Sequence, residues 1–346
     1  MAVDLSSIVA KRKIKLQDLS GKVIAIDAYN MLYQFLSIIR EPSGMPLVDK
    51  NGSITSHLSG LFYRTIDFEE NGIIPIYVFD GIPSVLKEKT IKARMQRREN
   101  AYASWQNAMQ EGNMEQAKAF AMQSTHVNKA IVESAKELLR YMGIPYINAP
   151  SEGEAQCSYM CAKGQAYAVA SQDYDTMLFG APLAARNLAI QGRRKLPRKN
   201  VYISIEPELA SLADTLANLQ ITREQLVWMG MLIGTDFNDG IKGIGPKTAL
   251  KLAKSYSSIE EIEEYVNKKY NASFNVDAKD VVNLFMHPDV RDVDESELHA
   301  SMDKSKLVEF MCDVHGFDRD RIERYAGKLA SIKEMEGQQG IRKWFA

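Results

Sequence analysis

Short runs of β-branched residues alternate with longer helix-favouring segments in this 346-residue chain. The expected strands cover residues 23–26, 73–79, 144–147 and 167–170, and the segments between them are long enough for crossover helices. This alternation predicts an α/β fold with a mostly parallel central sheet flanked by helices. Beyond about Ser257 the strand pattern fades, which predicts a helical C-terminal part packed on the α/β core.

Acidic residues follow three of the expected strands. Asp27 and Asp80 come directly after the first two, and Asp173 and Asp175 come shortly after the last. Ligands of open α/β sheets bind beyond the carboxyl ends of the strands, so we expect these acids to converge. A single such acid is commonly a turn former or a helix cap. Several together repel one another, and divalent cations relieve that repulsion.

Three further acids are ambiguous from their spacing alone. Ser151 and Glu154 have the spacing of a capping box, which would engage Glu154 with a backbone amide. Glu152 and Glu154 are two residues apart, so on a helix both could serve one site only from its first turn. Asp236 follows an apolar helix that ends near Gly234, and it is equally well interpreted as a loop acid.

The residue types in this acidic set limit its chemistry. Carboxylates without histidine or cysteine suit Mg²⁺ or Mn²⁺, and two such ions about 4 Å apart catalyse phosphodiester hydrolysis. The three cysteines, Cys157, Cys161 and Cys312, lack a paired metal-binding spacing. They therefore predict neither a disulfide framework nor a zinc site.

The distribution of charge favours a polyanionic partner more than its sum does. Forty-three basic and 44 acidic residues give a net charge of −1, which alone argues against nucleic acid. Basic residues nevertheless concentrate at 87–98, 186–199 and 242–254. We expect the second stretch to be a surface loop. One such run is typical of a solvated face, but three together favour nucleic acid.

Residues 243–249, Gly-Ile-Gly-Pro-Lys-Thr-Ala, have the form of a helix-hairpin-helix turn. Gly243 and Gly245 allow the backbone to approach a phosphate, and Lys247 adds positive charge. Such a turn grips duplex DNA without reading its sequence. The alternative is a glycine-rich turn between two core helices.

No apolar run reaches membrane-spanning length. Residues 1–15 also lack the apolar stretch and cleavage site of a secretory signal. The sequence therefore predicts an intracellular, cytoplasmic protein without membrane association.

These motifs together resemble the flap endonuclease family in its compact archaeal form. The resemblance spans nearly the whole chain and is carried by Ile26-Asp27-Ala28, Tyr33-Gln34-Phe35, Tyr63-Arg64-Thr65, Tyr77-Val78-Phe79-Asp80-Gly81, the segment 149–155, Gly234-Thr235-Asp236 and the hairpin turn. It implies a PIN-like 5′ nuclease fold and hydrolysis of DNA at the base of a 5′ flap, with 5′–3′ exonuclease activity, in Okazaki fragment maturation and repair. It also implies two Mg²⁺ ions, for which Mn²⁺ can substitute.

The resemblance also implies roles for individual residues. The metal-site carboxylates would be Asp27, Asp80, Glu152, Glu154, Asp173, Asp175 and Asp236. Lys87 and Arg94 would face the scissile phosphate, and their separation by seven residues, nearly two helical turns, puts them on one helix face. The expected DNA contacts are Tyr33, which would stack on a base, Arg64, Gly243, Gly245 and Lys247. Ala2 stands where the family usually has glycine.

The expected organisation has a nuclease core, a helical region and a tail. The core covers 1–256 and includes a helical arch at about 87–128 and the helix-hairpin-helix at about 223–254. Helices follow at 257–336, and a flexible tail covers 337–346. In that tail Gln338, Ile341, Trp344 and Phe345 match the spacing by which similar proteins bind the sliding clamp PCNA. A tail that folds back on the core is the alternative. We expect a monomer that binds branched duplex DNA.

Three other functions compete with this one. A sibling nuclease would act on bubbles, duplex ends or four-way junctions. A metal-dependent phosphatase would use one aspartate as nucleophile and would need no duplex clamp. A non-catalytic DNA-binding module would have no use for seven acids that repel phosphate.

Overall fold

The computed structural model describes residues 3–41, 43–189, 192–195 and 202–344, with the backbone alone at 192–195, 202–204 and 336–344. The predictions for Ala2 and Phe345 lie outside these residues. In the described part of the chain, no helix is both long and apolar enough to cross a membrane.

Seven of the described strands form one sheet in the order β1-β9-β6-β5-β2-β3-β4, and β7 pairs with β8 separately. The strands are β1 (Lys11–Lys13), β2 (Val23–Asp27), β3 (Ile74–Phe79), β4 (Tyr146–Asn148), β5 (Ala168–Ala170), β6 (Leu183–Arg186), β7 (Gly192–Lys195), β8 (Tyr202–Ile205) and β9 (Glu208–Ser211). Strands β6, β5, β2, β3 and β4 run parallel, whereas β9 is antiparallel to β6 and β1. The predicted fold class is confirmed, with an antiparallel edge that the sequence did not predict.

The helices lie on both faces of this sheet and beyond its edges. They are α1 (Ala28–Ile38), α2 (Ser56–Glu70), α3 (Glu88–Gln110), α4 (Met114–Gln123), α5 (Lys129–Met142), α6 (Gly153–Ala162), α7 (Asp175–Leu178), α8 (Leu212–Leu219), α9 (Arg223–Ile233), α10 (Pro246–Ser255), α11 (Ile259–Tyr270), α12 (Ala278–Met286), α13 (Lys304–Val308) and α14 (Arg319–Trp344). Single 3₁₀ turns occur at Leu16–Leu19, Val85–Lys87 and Glu295–Leu298, and a π-helical turn at Glu309–Val314.

Strand β2 is central and is buried on both faces, as its apolar sequence predicts. Ile24 and Ile26 point to the core shared with α1, α2, α5 and α14. Ala25 points to the opposite core, which includes Cys157 and Met160 of α6. Successive side chains of a strand alternate between faces, so one short segment anchors both layers.

Helices α3 and α4 form a hairpin in the segment expected to be the arch. Its buried residues are small, namely Ala101, Ala108, Ala117 and Ala121, so the two helices pack closely without bulky side chains. The hairpin also packs against the loop after α1. There a Cβ on Gly44 would lie 2.9 Å from Lys118 Cα, and Arg40 Nη1 donates a 2.7 Å hydrogen bond to the Gly44 carbonyl.

The basic stretch at 186–199 was expected to be a surface loop, and that prediction is wrong in part. Residues 192–195 form β7, in antiparallel register with residues 202–205 of β8. Tyr202, Ile203 and Ile205 have high β propensity. The run of arginine and lysine obscured the strand pattern in the partner segment.

Helix α14 crosses the expected boundary at residue 337. Its backbone is helical to Trp344, whereas a flexible tail was expected from residue 337. The segment contains no proline and is rich in residues of high helix propensity, which explains its continuation. The side chains of Gln338, Ile341 and Trp344 lie outside the described residues.

Candidate active site

Acidic residues stand at the carboxyl edge of four neighbouring parallel strands. The acids that follow or end β2, β3, β4 and β5 are Asp27, Asp80, Glu152 and Asp173. Phe79 of β3 is paired with Asn148 of β4, and Ile26 of β2 is paired with Ala170 of β5. These four strands therefore end close to one level, which brings the acids to one edge of the sheet as expected.

Asp27 joins two elements at this edge of the sheet. It is the last residue of β2 and the N-cap of α1, where its Oδ1 accepts a 3.0 Å hydrogen bond from the Asn30 amide. Its side chain is buried. The cap explains why the chain turns from strand to helix at this residue.

The capping-box interpretation of Glu154 is wrong. Helix α6 begins at Gly153 with Glu152 as its N-cap residue, and no side chain caps it. Glu154 Oε1 instead accepts a 2.7 Å hydrogen bond from the Ser171 hydroxyl. Because the helix starts later than the spacing suggested, Glu152 and Glu154 flank its first residue and both face the site.

Gly153 lets α6 approach Asp80. Its amide donates a 2.7 Å hydrogen bond to Asp80 Oδ1, and a Cβ at this position would lie 2.7 Å from the same oxygen. A side chain would therefore displace the carboxylate. The requirement for glycine here comes from close packing, since its φ is not in the left-handed region.

Asp236 is supplied by the loop after α9, and hydrogen bonds of a buried side chain hold that loop. The buried Asn238 side chain donates a 2.8 Å hydrogen bond to the Met231 carbonyl, and its Oδ1 accepts one of 2.8 Å from Thr235 Oγ1. These bonds fix the turn on both sides of Asp236.

Asp175 lies behind the other acids. It is the first residue of α7, it is buried, and its Oδ1 accepts a 3.1 Å hydrogen bond from the Val3 amide. Burial, with repulsion from Asp236 and Asp173, raises the pKa of Asp175 to about 7. The other six acids line one cleft of about 800 Å³.

Two cations of the arch segment reach into this cleft. Lys87 Nζ hydrogen-bonds to Glu152 Oε2 and lies 3.7 Å from Asp236 Oδ2, and Arg94 Nη2 hydrogen-bonds to Asp236 Oδ1. Burial alone would raise the pKa of Asp236, but Arg94 and Lys87 outweigh it and the pKa is lowered. Burial alone would lower the pKa of Lys87, but Glu152, Asp80 and Asp236 outweigh it and the pKa is raised.

Burial and mutual repulsion raise the pKa values of Asp27, Glu154 and Asp80. Burial raises the pKa of Asp27 well above its usual range, with repulsion from Asp80 as the next cause. Burial does the same for Glu154, with repulsion from Asp27. It raises the pKa of Asp80 to about 6, although Lys87 acts in the opposite direction. A cation placed among these groups would lower all three pKa values.

The donor set therefore fits a hard divalent cation. All the candidate ligands are carboxylates, which suits Mg²⁺, and the buried Glu152 Oε1 has no hydrogen-bond partner among the described residues. Within those residues, no three acidic, histidine or cysteine side chains already stand as a closed metal site. In this arrangement Glu152 and Asp236 are paired with Lys87 and Arg94.

Of the other residues expected to contact DNA, Tyr33 lies at the cleft, and Gly243, Gly245 and Lys247 lie at the turn before α10. Tyr33 is 39% exposed and lines the cleft, and Lys247 is exposed at the start of α10. Gly243, whose φ is +89°, and Gly245 both border open space, since a Cβ added to either would meet no atom of the described residues within 4 Å. A phosphate has room to approach the backbone there.

Arg64 is not in the cleft. Its guanidinium donates to the Leu188 carbonyl at 2.6 Å and to Asp67, and it packs over the Phe68 ring. The side chain is 12% exposed. That burial argues against the expected DNA contact and assigns Arg64 to packing between α2 and the segment after β6.

Sequence reasoning missed two polar residues that hold the acids in place. Ser171 binds Glu154, and Asn30 Nδ2 donates a 3.1 Å hydrogen bond to Asp173 Oδ2. The place of Asn30 in the sequence could have indicated its role. It is the third residue after the N-cap Asp27, a position whose side chain lies close to the cap.

Comparison with known proteins agrees with this geometry. The family models for the XPG N-terminal domain and the XPG I-region match residues 1–101 and 143–236. Flap endonuclease 1 of Thermococcus onnurineus is 45% identical over 346 residues, covering 100% of this chain and 99% of the relative. The enzyme of Staphylothermus marinus is 46% identical over 354 residues, covering 100% of both.

Solved structures give the same result. Flap endonuclease-1 from Methanococcus jannaschii superposes with a TM-score of 0.73 at 37% identity, covering 96% of this chain and 99% of that one. The catalytic core of Rad2 in complex with a DNA substrate has a TM-score of 0.69 at 24% identity, covering 95% and 100%, and supports the fold alone. The chain therefore belongs to the flap endonuclease family, the structure-specific nucleases that remove 5′ flaps from DNA.

Proposed function

We propose that this enzyme cuts branched duplex DNA at the base of a 5′ flap with two Mg²⁺ ions, for which Mn²⁺ can substitute. The proposed ligands are the seven acids Asp27, Asp80, Glu152, Glu154, Asp173, Asp175 and Asp236. One observation carries the proposal. Buried carboxylates from separate strand ends meet in one cleft, and arch cations contact them there.

The bound ions would activate the attacking water and stabilise the leaving oxygen. The protein's own contribution is to hold its carboxylates at fixed positions and to bring Lys87 and Arg94 to the scissile phosphate. Both cations reach the carboxylates from the arch side of the cleft. A phosphate that enters would compete with Glu152 and Asp236 for them, and they would then stabilise its developing negative charge.

Other elements would bind the parts of the DNA on each side of the cut. The α3–α4 hairpin would receive the 5′ flap, and Tyr33 at the cleft would stack on a neighbouring base. Gly243, Gly245 and Lys247 would bind a phosphate of the duplex without reading sequence. We further propose a 5′–3′ exonuclease activity and a role in Okazaki fragment maturation and DNA repair, in which the enzyme acts as a monomer.

The C-terminal segment is proposed to bind the sliding clamp PCNA. Gln338, Ile341, Trp344 and Phe345 have the required sequence spacing. The described backbone is helical through Trp344, and one helical turn is the conformation in which such a motif presents its apolar side chains to a partner. An apolar plug of this kind fits a hydrophobic pocket on a partner.

Cleavage of a labelled double-flap DNA tests the nuclease centre. We expect product only when Mg²⁺ or Mn²⁺ is added. Asp80→Asn and Asp173→Asn keep the shape of the side chain but remove its charge, so each should lower the cleavage rate by at least about a thousandfold. DNA binding should stay close to wild type, because repulsion of phosphate also falls.

A matched control is Asp280→Asn, an exposed acid of α12 outside the cleft. It should cleave at the wild-type rate. Rates within tenfold of wild type for both cleft variants would show that these acids are not metal ligands.

A further inference from the structure

Asn30 connects two of the proposed metal ligands although it is not itself an acid. Its backbone amide donates to Asp27 Oδ1 at 3.0 Å, and its side-chain Nδ2 donates to Asp173 Oδ2 at 3.1 Å. Asp27 ends β2 and Asp173 follows β5, so one residue of α1 contacts the acids of two adjacent strands.

The orientation of the Asn30 amide is fixed by its other partners. Its Oδ1 accepts a 2.7 Å hydrogen bond from Gln34 Nε2 and one of 3.3 Å from the Gln172 backbone amide. Both partners are donors, so the oxygen must face them and the NH₂ group must face Asp173. A flipped amide would lose these bonds and would place an acceptor against a carboxylate.

The peptide before Asp173 is held from its other side as well. The Gln172 amide donates to Asn30, and the Gln172 carbonyl accepts a 2.9 Å hydrogen bond from Arg186 Nε. The Asp173 amide donates to Ser171 Oγ at 3.2 Å. The side chain of Asp173 and the peptide before it are therefore held by Asn30 and Arg186 from outside the loop, and its amide is held by Ser171 within the loop.

We propose that Asn30, oriented by Gln34, is a positioning residue that holds Asp173 in the conformation in which its carboxylate takes a metal ion. The inference rests on the proposed metal role of Asp173. Groups that orient a ligand from behind in this way commonly contribute a factor of 10–100 to metal affinity.

Calorimetric titration of Mn²⁺ into the full-length, metal-free protein without DNA is the direct test. Asn30→Leu keeps the size of the side chain but removes the donor, so Mn²⁺ affinity should fall about tenfold. Gln34→Met leaves Asn30 in place but frees its amide to rotate, and its affinity should lie between those of wild type and Asn30→Leu. The Mg²⁺ concentration for half-maximal single-turnover cleavage should rise in the same order, whereas the rate at saturating Mg²⁺ should change far less.

Two controls separate this inference from a general effect on α1 and from the proposed function. Ser37→Ala, whose hydroxyl bonds the Tyr33 carbonyl on the same helix, should bind Mn²⁺ within about twofold of wild type. Asp173→Asn should weaken binding if Asp173 is a ligand. If it does not, the metal assignment itself is wrong.

If Asp173→Asn weakens binding but Asn30→Leu and Gln34→Met do not, the metal assignment stands and the positioning role is refuted. Thermal unfolding is measured in parallel. If Asn30→Leu lowers the midpoint of thermal unfolding by more than about 5 °C, the Gln34→Met variant becomes the deciding test. Reduced Mn²⁺ affinity of Gln34→Met at an unchanged unfolding midpoint supports the positioning role. Unchanged Mn²⁺ affinity of Gln34→Met overturns it.

Discussion

Among the described residues, Lys87 and Arg94 contact the carboxylates of the cleft directly. If they stabilise charge that develops at the scissile phosphate, Lys87→Ala or Arg94→Ala should raise the barrier of the chemical step by about 3 kcal/mol, roughly a hundredfold in single-turnover rate. Flap-DNA binding should weaken much less. Lys92→Ala is the control on the same helix, because Lys92 is exposed and pairs with Glu88. Equal losses in rate and binding would identify Lys87 and Arg94 as general DNA contacts.

His57 makes the stability of the fold depend on pH. It is buried on α2, its Nε2 lies 2.8 Å from Ser134 Oγ, and burial lowers its pKa to about 3, with a smaller effect from His315. The unfolded chain takes up a proton below about pH 6.5 and the folded one does not. This contribution to stability is complete above pH 6.5 and is lost as the pH falls towards 3.

Between pH 7.5 and pH 5, His57 should therefore cost about 2 kcal/mol of unfolding free energy. Urea unfolding of wild type and His57→Gln at both pH values isolates this contribution, since the other titrating groups are common to both proteins. We expect the pH dependence of the variant to be smaller by that amount. Equal pH dependence in the two proteins would mean that His57 is protonated in the folded state.

At the residue level, the position of a site residue could be predicted from the sequence where the local pattern alone determines it. The positions of Asp27, the last residue of β2, and Asp80, which follows β3, could be predicted because the apolar pattern of both strands is clear. The geometry of Glu154 could not, because a capping box and a metal-facing acid have the same spacing, and the choice depends on Ser171 from another strand end. The position of Arg64 away from the cleft could not be predicted for a similar reason, since only the fold brings it to Leu188.

At the scale of elements, the turn before α10 is the clearest test of duplex binding. Pro246 is the first residue of α10, Gly245 is its N-cap, and Lys247 is exposed. Lys247→Ala should weaken binding to duplex DNA of any sequence and should reduce the slope of log affinity against log salt by about one phosphate contact. Fluorescence anisotropy at several salt concentrations measures both effects.

Lys268→Ala offers a comparison for this experiment, because Lys268 is exposed near the C-terminal end of α11. Its affinity and salt slope should match wild type. A Lys247→Ala slope that also equals wild type would leave the glycine turn as a connection between two core helices, without a DNA contact.

The elements themselves were predicted unevenly, and the reasons are physical. Parallel strands buried on both faces give continuous apolar runs, so β2 and β3 were evident. Strand β1 consists of Lys11, Arg12 and Lys13 and is exposed, so no apolar pattern marks it. The contact between the arch hairpin and Gly44 was also beyond prediction, because it joins residues distant in the chain.

At the scale of the whole molecule, nuclease and clamp binding should be separable. The acids lie between residues 27 and 236, whereas the proposed clamp-binding residues are at 338–345. α14 packs on the core through Ile322, Ala326 and Leu329, all before residue 337. Deletion of residues 338–346 should therefore leave basal flap cleavage nearly unchanged and abolish both clamp binding and stimulation by the clamp.

Calorimetry against the cognate clamp, with cleavage assays in its presence and absence, tests both expectations. Trp344→Ala with Phe345→Ala in the full-length chain is the milder variant and should behave like the deletion. Undiminished clamp affinity, or a collapse of basal activity, would assign the segment to the fold of the nuclease.

The pairing of β1 with β9 has a consequence for how the enzyme is made. Lys11 near the start of the chain is in register with Ala210, and Asp236 comes later still. The ribosome must therefore release most of the core before the sheet can close, and contacts this far apart in sequence form late and together. A nascent or truncated chain that ends before Asp236 holds an incomplete set of acids. If these acids are the metal ligands, an unfinished chain of this kind should not cleave DNA.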